Sequence, residues 1–154
     1  MARRSKLDVE TAEPAEIYDA VKLIDGDEFD DLMADPSKRP LVIEAMIDHL
    51  VGLFQPDAAG DLEAIIHVKL WDRPEGGYDH YELLIADRTC VISAAPVHEP
   101  RLTLKIRPGD LRRLVSGETG ARRLAFKGRL RALGDLRLGM KLPDLFRFEK
   151  SSSD

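Results

Sequence analysis

The sequence predicts an α+β fold, a mainly antiparallel five-stranded sheet covered on one face by helices. Three observations carry that expectation. Apolar residues recur about once per helical turn up to residue 54, alternate with polar ones in four stretches between residues 64 and 107, and then return to helical spacing. One further alternating stretch, at residues 129–133, interrupts the last part. A chain of 154 residues, 44% hydrophobic and 33% charged, is long enough and apolar enough for one domain with a sizeable core.

The elements follow in order. Ile17, Val21, Ile24, Phe29 and Leu32 lie roughly one turn apart. They predict one or two helices over residues 14–34 with a narrow apolar stripe, bent at Asp25-Gly26-Asp27. Asp35-Pro36-Ser37 reads as a turn. Residues 40–54 make a stronger helix, because proline suits the first turn. Leu41, Ala45, Ile47 or Met46, Leu50, Val51 and Phe54 cover one broad face there.

The first strand alternates Ile66, Val68 and Leu70 with His67 and Lys69, so one face is buried and the other wet. Arg73-Pro74-Glu75-Gly76-Gly77 is a turn. The second strand, residues 78–86, sets Tyr81, Leu83 and Ile85 against His80, Glu82 and Leu84. Asp87-Arg88 is short enough to be a hairpin tip. Residues 89–94 form a third strand, and residues 101–107 a fourth, with Leu102, Leu104 and Ile106 against Thr103, Lys105 and Arg107. Short links between the four favour an antiparallel meander.

Pro108-Gly109-Asp110 then opens a short helix with Leu111, Leu114 and Val115, closed by Gly117. Thr119 caps a second short helix, which Gly128 stops. A fifth strand follows, and Gly134-Asp135 starts a last helix in which Pro143 demands a break or kink. By this division residues 1–39 are an acidic, partly helical N-terminal extension, residues 40–150 the main domain, and residues 151–154 a disordered tail.

Net charge is −5, unevenly spread. In residues 8–35 Lys22 is the lone base, whereas residues 101–150 carry 14 cations against five acids. Either the basic half faces anionic lipid or nucleic acid, or the acidic segment lies against it. Nucleic acid is not expected, because Phe126 alone interrupts the arginine-rich stretch where bases would stack. No apolar run approaches the roughly 20 residues of a membrane span. The start has no apolar core of a signal peptide. The single cysteine, Cys90, excludes an intrachain disulfide, and a cytoplasmic location is the expectation.

Catalytic chemistry finds no support. His49, His67, His80 and His98 share no metal-binding spacing. His67 and His80 are neighbours if the register allows, yet they share the polar face with Lys69 and Glu82 and are expected at the surface. Cys90 lies mid-strand and is expected to be buried and inert. Ser93 and Ser116 lack a nucleophile elbow. Gly76-Gly77 and the pair Gly117 and Gly120 lack the lysine of a phosphate loop. No catalytic residue, no metal site and no cofactor are therefore expected, and the chain does not read as an enzyme.

The run Leu102-Thr103-Leu104-Lys105-Ile106-Arg107, then Asp110-Leu111, Leu114 and Ser116-Gly117, resembles the sterol carrier protein (non-specific lipid-transfer) family. So does Lys127-Gly128-Arg129-Leu130-Arg131-Ala132-Leu133-Gly134-Asp135, followed by Leu142 and Leu145-Phe146. The resemblance covers residues 41–148 and rests on the order and spacing of these motifs. It implies a five-stranded sheet with helices on one side and, between them, a tunnel for a fatty acid, acyl-CoA or sterol. It also makes lining residues of Leu83, Ile85, Leu102, Leu104, Ile106, Leu124, Phe126, Leu138, Met140, Leu142 and Phe146. Periodicity alone would make each of these an ordinary core residue. Arg122, Arg123 and Lys127 become candidates for meeting a lipid head group. Two departures stand out: the chain ends Ser151-Ser152-Ser153-Asp154, without the peroxisomal tripeptide of some members, and the acidic segment before residue 41 is extra.

Two functions follow. One is non-covalent binding, and transfer, of an apolar lipid, with transient contact at an anionic membrane surface. The other is a protein-interaction or regulatory module of the same fold with a filled cavity, its partner meeting the acidic N-terminal extension.

Overall fold

Two short helices open the part of the chain, residues 12–147, that the computed structural model describes. In α1 (Pro14–Val21) a proline takes the first turn, and in α2 (Gly26–Ala34) the Asp25 side chain accepts from the Glu28 N–H at 2.8 Å. The bend expected at Asp25 falls between them. The tail and the first eleven residues lie outside the described residues. Ile17, Tyr18 and Val21 pack on α3 (Arg39–Gly52), where the Tyr18 ring stacks on His49 at 3.8 Å.

Helix α3 buries more than the single face its sequence suggests. Val42, Ile43, Ala45, Met46, Ile47 and Leu50 are all buried. The sheet side and the α1–α2 side both cover it, so apolar residues are needed around most of its girth. Its first residue, Arg39, is itself buried. Its guanidinium donates to Asp79 (2.8 Å) and to the carbonyls of Trp71 (2.7 Å) and Asp72 (2.9 Å), tying the helix to the ends of two strands. A single turn, α4 (Pro56–Ala59), unforeseen in the sequence, leads into the sheet.

The strands are β1 (Ala64–Leu70), β2 (Asp79–Ala86), β3 (Thr89–Ser93), β4 (Leu102–Ile106) and β5 (Leu130–Gly134). They stand in the order β3-β2-β1-β4-β5. Asp87 and Arg88 both take positive φ, 52° and 61°, the geometry of a two-residue hairpin turn.

The expected meander is corrected here. Strand β4 does not pair with β3; it lies parallel to β1, with Ile66 opposite Leu102 and Leu70 opposite Ile106. The sheet is mostly antiparallel with this one parallel pair. Register explains how so short a link suffices. Ser93 aligns with Glu82, Glu82 with His67, and His67 with Thr103. The end of β3 is thus level with the start of β4, three strand spacings or roughly 14 Å away. Residues 94–101 cover that span with slack to spare.

Helices α5 (Pro108–Val115), α6 (Ala121–Phe126) and α7 (Leu136–Leu145) complete the layer over the sheet. Two local expectations need correction. Gly120, not Thr119, is the N-cap of α6, because the Thr119 N–H is held by the Arg113 carbonyl at the end of α5. And α7 continues through Pro143 without a break, losing only the rung that Pro143 would donate to Gly139. Asp135 caps α7 through the Leu138 N–H at 3.1 Å.

The acidic and basic halves do meet, but not chiefly through carboxylates. Arg112 of α5 donates to the carbonyls of Val21 and Ile24, both at 2.9 Å, and lies over the Phe29 ring.

Candidate functional site

Alternation along β1, β2, β4 and β5 sends Ile66, Val68, Leu83, Leu104, Ile106 and Leu130 toward the helices. There they meet Leu50 of α3, Leu111 and Leu114 of α5, Ala121 of α6, Leu142 of α7 and Phe146. Between the two layers runs a seam with wholly apolar walls and an open volume of about 40 Å³. A water molecule's share of liquid is about 30 Å³, and ligand pockets usually measure about 300–1,000 Å³. The seam is therefore nearly closed, and an occupant the size of an acyl chain requires the helices to part from the sheet.

Of the lining candidates, Leu83, Leu104, Ile106, Leu142 and Phe146 do line the seam. Ile85, Leu102, Leu124 and Leu138 are buried in the surrounding core. Phe126 and Met140 lie at the surface instead, 94% and 75% exposed. Helical geometry gives the reason. At 100° per residue, Phe126 sits roughly 140° around α6 from inward-facing Ala121, and Met140 roughly opposite inward-facing Leu138 and Leu142. Arg122, Arg123 and Lys127 are exposed on α6 and the turn after it. Reading the sequence missed Ile66, Val68, Leu50, Leu111, Leu114, Ala121 and Leu130 as lining. The first two were legible as the buried face of β1.

The opposite face of the sheet holds a different arrangement. His67 and Glu82, expected in water, are 6% and 1% exposed. The crossover link over residues 94–101 explains this, because it lies across them. The Glu82 carboxylate accepts from the backbone N–H groups of Val97 (2.9 Å) and His98 (3.0 Å) and from His98 Nδ1 (2.6 Å). His67 Nε2 meets Oε1, the oxygen that also accepts from the two backbone N–H groups, at 3.2 Å, and His80 Nε2 meets His67 Nδ1 at 2.8 Å. With all three imidazoles neutral, each contact has one donor and one acceptor. Burial alone would raise the Glu82 pKa, but donors from His98, Val97 and His67 outweigh it and hold the carboxyl down at about 2. Burial, first of all, and then the electrostatic influence of neighbouring His67 and Lys69 lower that of His80. Among the described residues no three such groups converge on a point that would hold a metal ion. Cys90 is buried, and burial pushes its thiol up to about 12, far from a reactive thiolate.

The pattern of the SCP-2 sterol transfer family matches residues 47–147, the stretch that builds the sheet and its helical cover. The chain belongs to the SCP-2 sterol transfer family. Its fold is shared by the sterol carrier protein domain 2 of Helicoverpa armigera, at 19% identity over 72% of this chain and 88% of that one, with a TM-score of 0.58. It is shared also by palmitated SCP2L2 from Aedes aegypti, at 13% identity over 69% and 95%, with a TM-score of 0.56. The sec-alkylsulfatase Pisa1 from a Pseudomonas species contains the fold too, at 12% identity and a TM-score of 0.55; the family domain here covers 70% of this chain but only 16% of that enzyme. None of the curated proteins matches the chain. Among the described residues no helix is long and apolar enough to cross a membrane.

Proposed function

We propose that this chain binds one apolar lipid, a fatty acid, acyl-CoA or sterol, non-covalently in the seam between sheet and helices, and carries it between membranes. The observation behind this reading is the composition of the seam: twelve residues from eight parts of the chain meet there, and every one is apolar. Such walls hold a ligand without directional bonds. Each buried CH₂ contributes about 0.8 kcal/mol, so a long acyl chain gains on the order of 10 kcal/mol before association and opening costs. The Aedes aegypti relative of the same fold carries palmitate.

Binding opens the seam. The short α6 and α7, which lacks one hydrogen-bond rung at Pro143, are the elements that yield, and Arg122, Arg123 and Lys127 on or next to α6 stand beside the opening to meet an anionic head group. No cofactor and no catalytic residue take part, and the protein works in the cytoplasm, as a main domain of residues 40–150 with an acidic extension.

The small volume of the seam supports a second reading, in which the cavity stays filled and the protein is an interaction module. Exposed Asp27, Asp30 and Asp31 on α2 then present the surface for a basic protein partner. Native mass spectrometry of the freshly purified protein, with titration by a fluorescent fatty acid, separates the two. The lipid reading expects one lipid per chain and saturable displacement. Protein with no lipid and no uptake of the probe would establish the filled module.

A further inference from the structure

Register places Lys69 of β1 opposite Lys105 of β4, and Lys105 opposite Arg131 of β5. All three point away from the helices, because their chain neighbours Val68, Ile106 and Leu130 line the seam. Neighbouring strands stand about 4.8 Å apart, so the three cations form a row about 10 Å long. None of the three pairs with a carboxylate among the described residues. Two aromatic rings adjoin the row. Trp71 follows β1, Tyr78 precedes β2, and their rings meet edge to face with centroids 5.4 Å apart. The Lys69 ammonium lies over Tyr78 at 4.6 Å and that of Lys105 over Trp71 at 5.4 Å. Like charges directly opposite across strands cost a sheet stability. A row kept without carboxylate partners at that cost suits an anion brought from outside.

The shape of the row selects among anions. A compact anion is gripped by donors that converge on a point, whereas a row across three strands suits an anion whose charges are themselves in line. The rings select further. An acidic peptide has no use for them, but the bases of a single-stranded nucleic acid stack on aromatic faces while cations track its phosphates. A flat bilayer fits less well, because the crossover link over residues 94–101 covers the same face beside the row, above His67 and Glu82. The rings that the arginine-rich stretch lacks in sequence are supplied in space: strand pairing sets Trp71, through Lys105, one strand away from Arg131.

We propose that the outward face of β1, β4 and β5, with Trp71 and Tyr78 at its end, is a binding site for single-stranded nucleic acid. Lys69, Lys105 and Arg131 take successive phosphates. This draws the two ammonium groups off the rings and leaves the ring faces to the bases. The site goes beyond lipid binding and does not depend on it, since it lies on the other side of the sheet from the seam.

Trp71 is the only tryptophan in the chain, so tryptophan fluorescence reports on this patch alone. The full chain is titrated with a twelve-nucleotide oligo(U) and, separately, with a twelve-residue poly-glutamate peptide. The expected result is saturable quenching by the oligonucleotide, with an affinity at least tenfold tighter than any response to the peptide. Three phosphate contacts to a single strand give a salt slope of about −2, so affinity should fall about twentyfold between about 50 and 200 mM salt. Lys105→Gln should weaken the oligonucleotide about tenfold without lowering the melting midpoint of the free protein, since it relieves the repulsion along the row. Lys141→Gln, the same change of charge on α7, should bind like the wild type. A peptide that binds as tightly as the oligonucleotide would assign the face to an acidic protein partner instead. No quenching by the oligonucleotide, quenching indifferent to salt, or equal losses in the two variants would also overturn the proposal. Fatty-acid binding, read in parallel, should be the same in Lys105→Gln as in the wild type, so failure of this site and failure of the seam are told apart.

Discussion

On one face of the sheet Ile66, Val68 and Leu83 meet leucines from the helices; on the other, their chain neighbours His67 and Glu82 meet a loop. Both faces are covered, by opposite means. The inner cover is apolar and non-directional, so its layers part and close again at the cost of dispersion and hydration alone. The outer cover is held by five directional contacts on one carboxylate and its histidine partners, and these do not slide. The pair teaches where the molecule yields and where it does not. The proposed lipid capacity belongs to the side with no polar groups, and the crossover link is fixed by the side that has them.

The largest effect is expected from the inner face. Leu83→Ala removes a fully buried side chain next to an existing gap, and unfolding by urea should show a loss of about 2–5 kcal/mol. The same variant should keep or enlarge its capacity for a fatty acid, since it widens the seam. If it loses capacity while still folded, the seam is not the site.

Next is Glu82→Gln. The amide offers one acceptor where the carboxylate offered two, and turns an NH₂ toward donors. Its melting midpoint should fall by several degrees, and amide exchange at Val97 and His98 should quicken. Fatty-acid binding should stay unchanged. Loss of binding in this variant would show that the two faces are coupled.

The pH dependence sharpens the same contrast. The folded pKa of His80 lies below its ordinary 6.5, so the stability it contributes is complete above that pH and is lost as pH falls through the folded value. Glu82 adds a second, lower step. Its folded value of about 2 lies below the ordinary 4.5, so its contribution is present above 4.5 and is lost as pH falls toward 2. Thermal melts against pH should show both declines, and His80→Gln should flatten the first, which begins as pH falls below the ordinary 6.5. An unaltered upper decline in that variant would assign it elsewhere.

The smallest effect is expected at Phe126. Exposed as it is, Phe126→Ser should change stability by no more than about 0.5 kcal/mol in the same urea assay. A larger loss would place the ring in the core after all.

Most of the elements were legible in the sequence, because each rests on local pattern. Ile66, Val68 and Leu70 announce a strand, Asp87-Arg88 a tight turn, and Gly134-Asp135 a helix start. Strand pairing is not local. Nothing in residues 94–101 says whether the chain folds back beside β3 or crosses to β1. That one ambiguity produced two misreadings, the meander and the exposure of His67 and Glu82, since the same link that makes β4 parallel to β1 also shields the outer face. The site was half legible. Alternation marks Leu83, Leu104 and Ile106 as inward, but membership in a helix does not say which side faces in, and Phe126 and Met140 fell on the wrong side of α6 and α7. Ala121 escaped notice for a simpler reason: a small residue beside a gap leaves no mark in hydropathy.

The proposed function requires a bound lipid to lie between the sheet and its helices. Nuclear Overhauser contacts from a carbon-13-labelled fatty acid to the protein's methyl groups answer this directly. Binding in the seam gives contacts to Leu83, Leu104, Leu130 and Leu142. Contacts confined to outer-face methyls such as Ile65 and Leu84, or no contacts at saturating fatty acid, would contradict it.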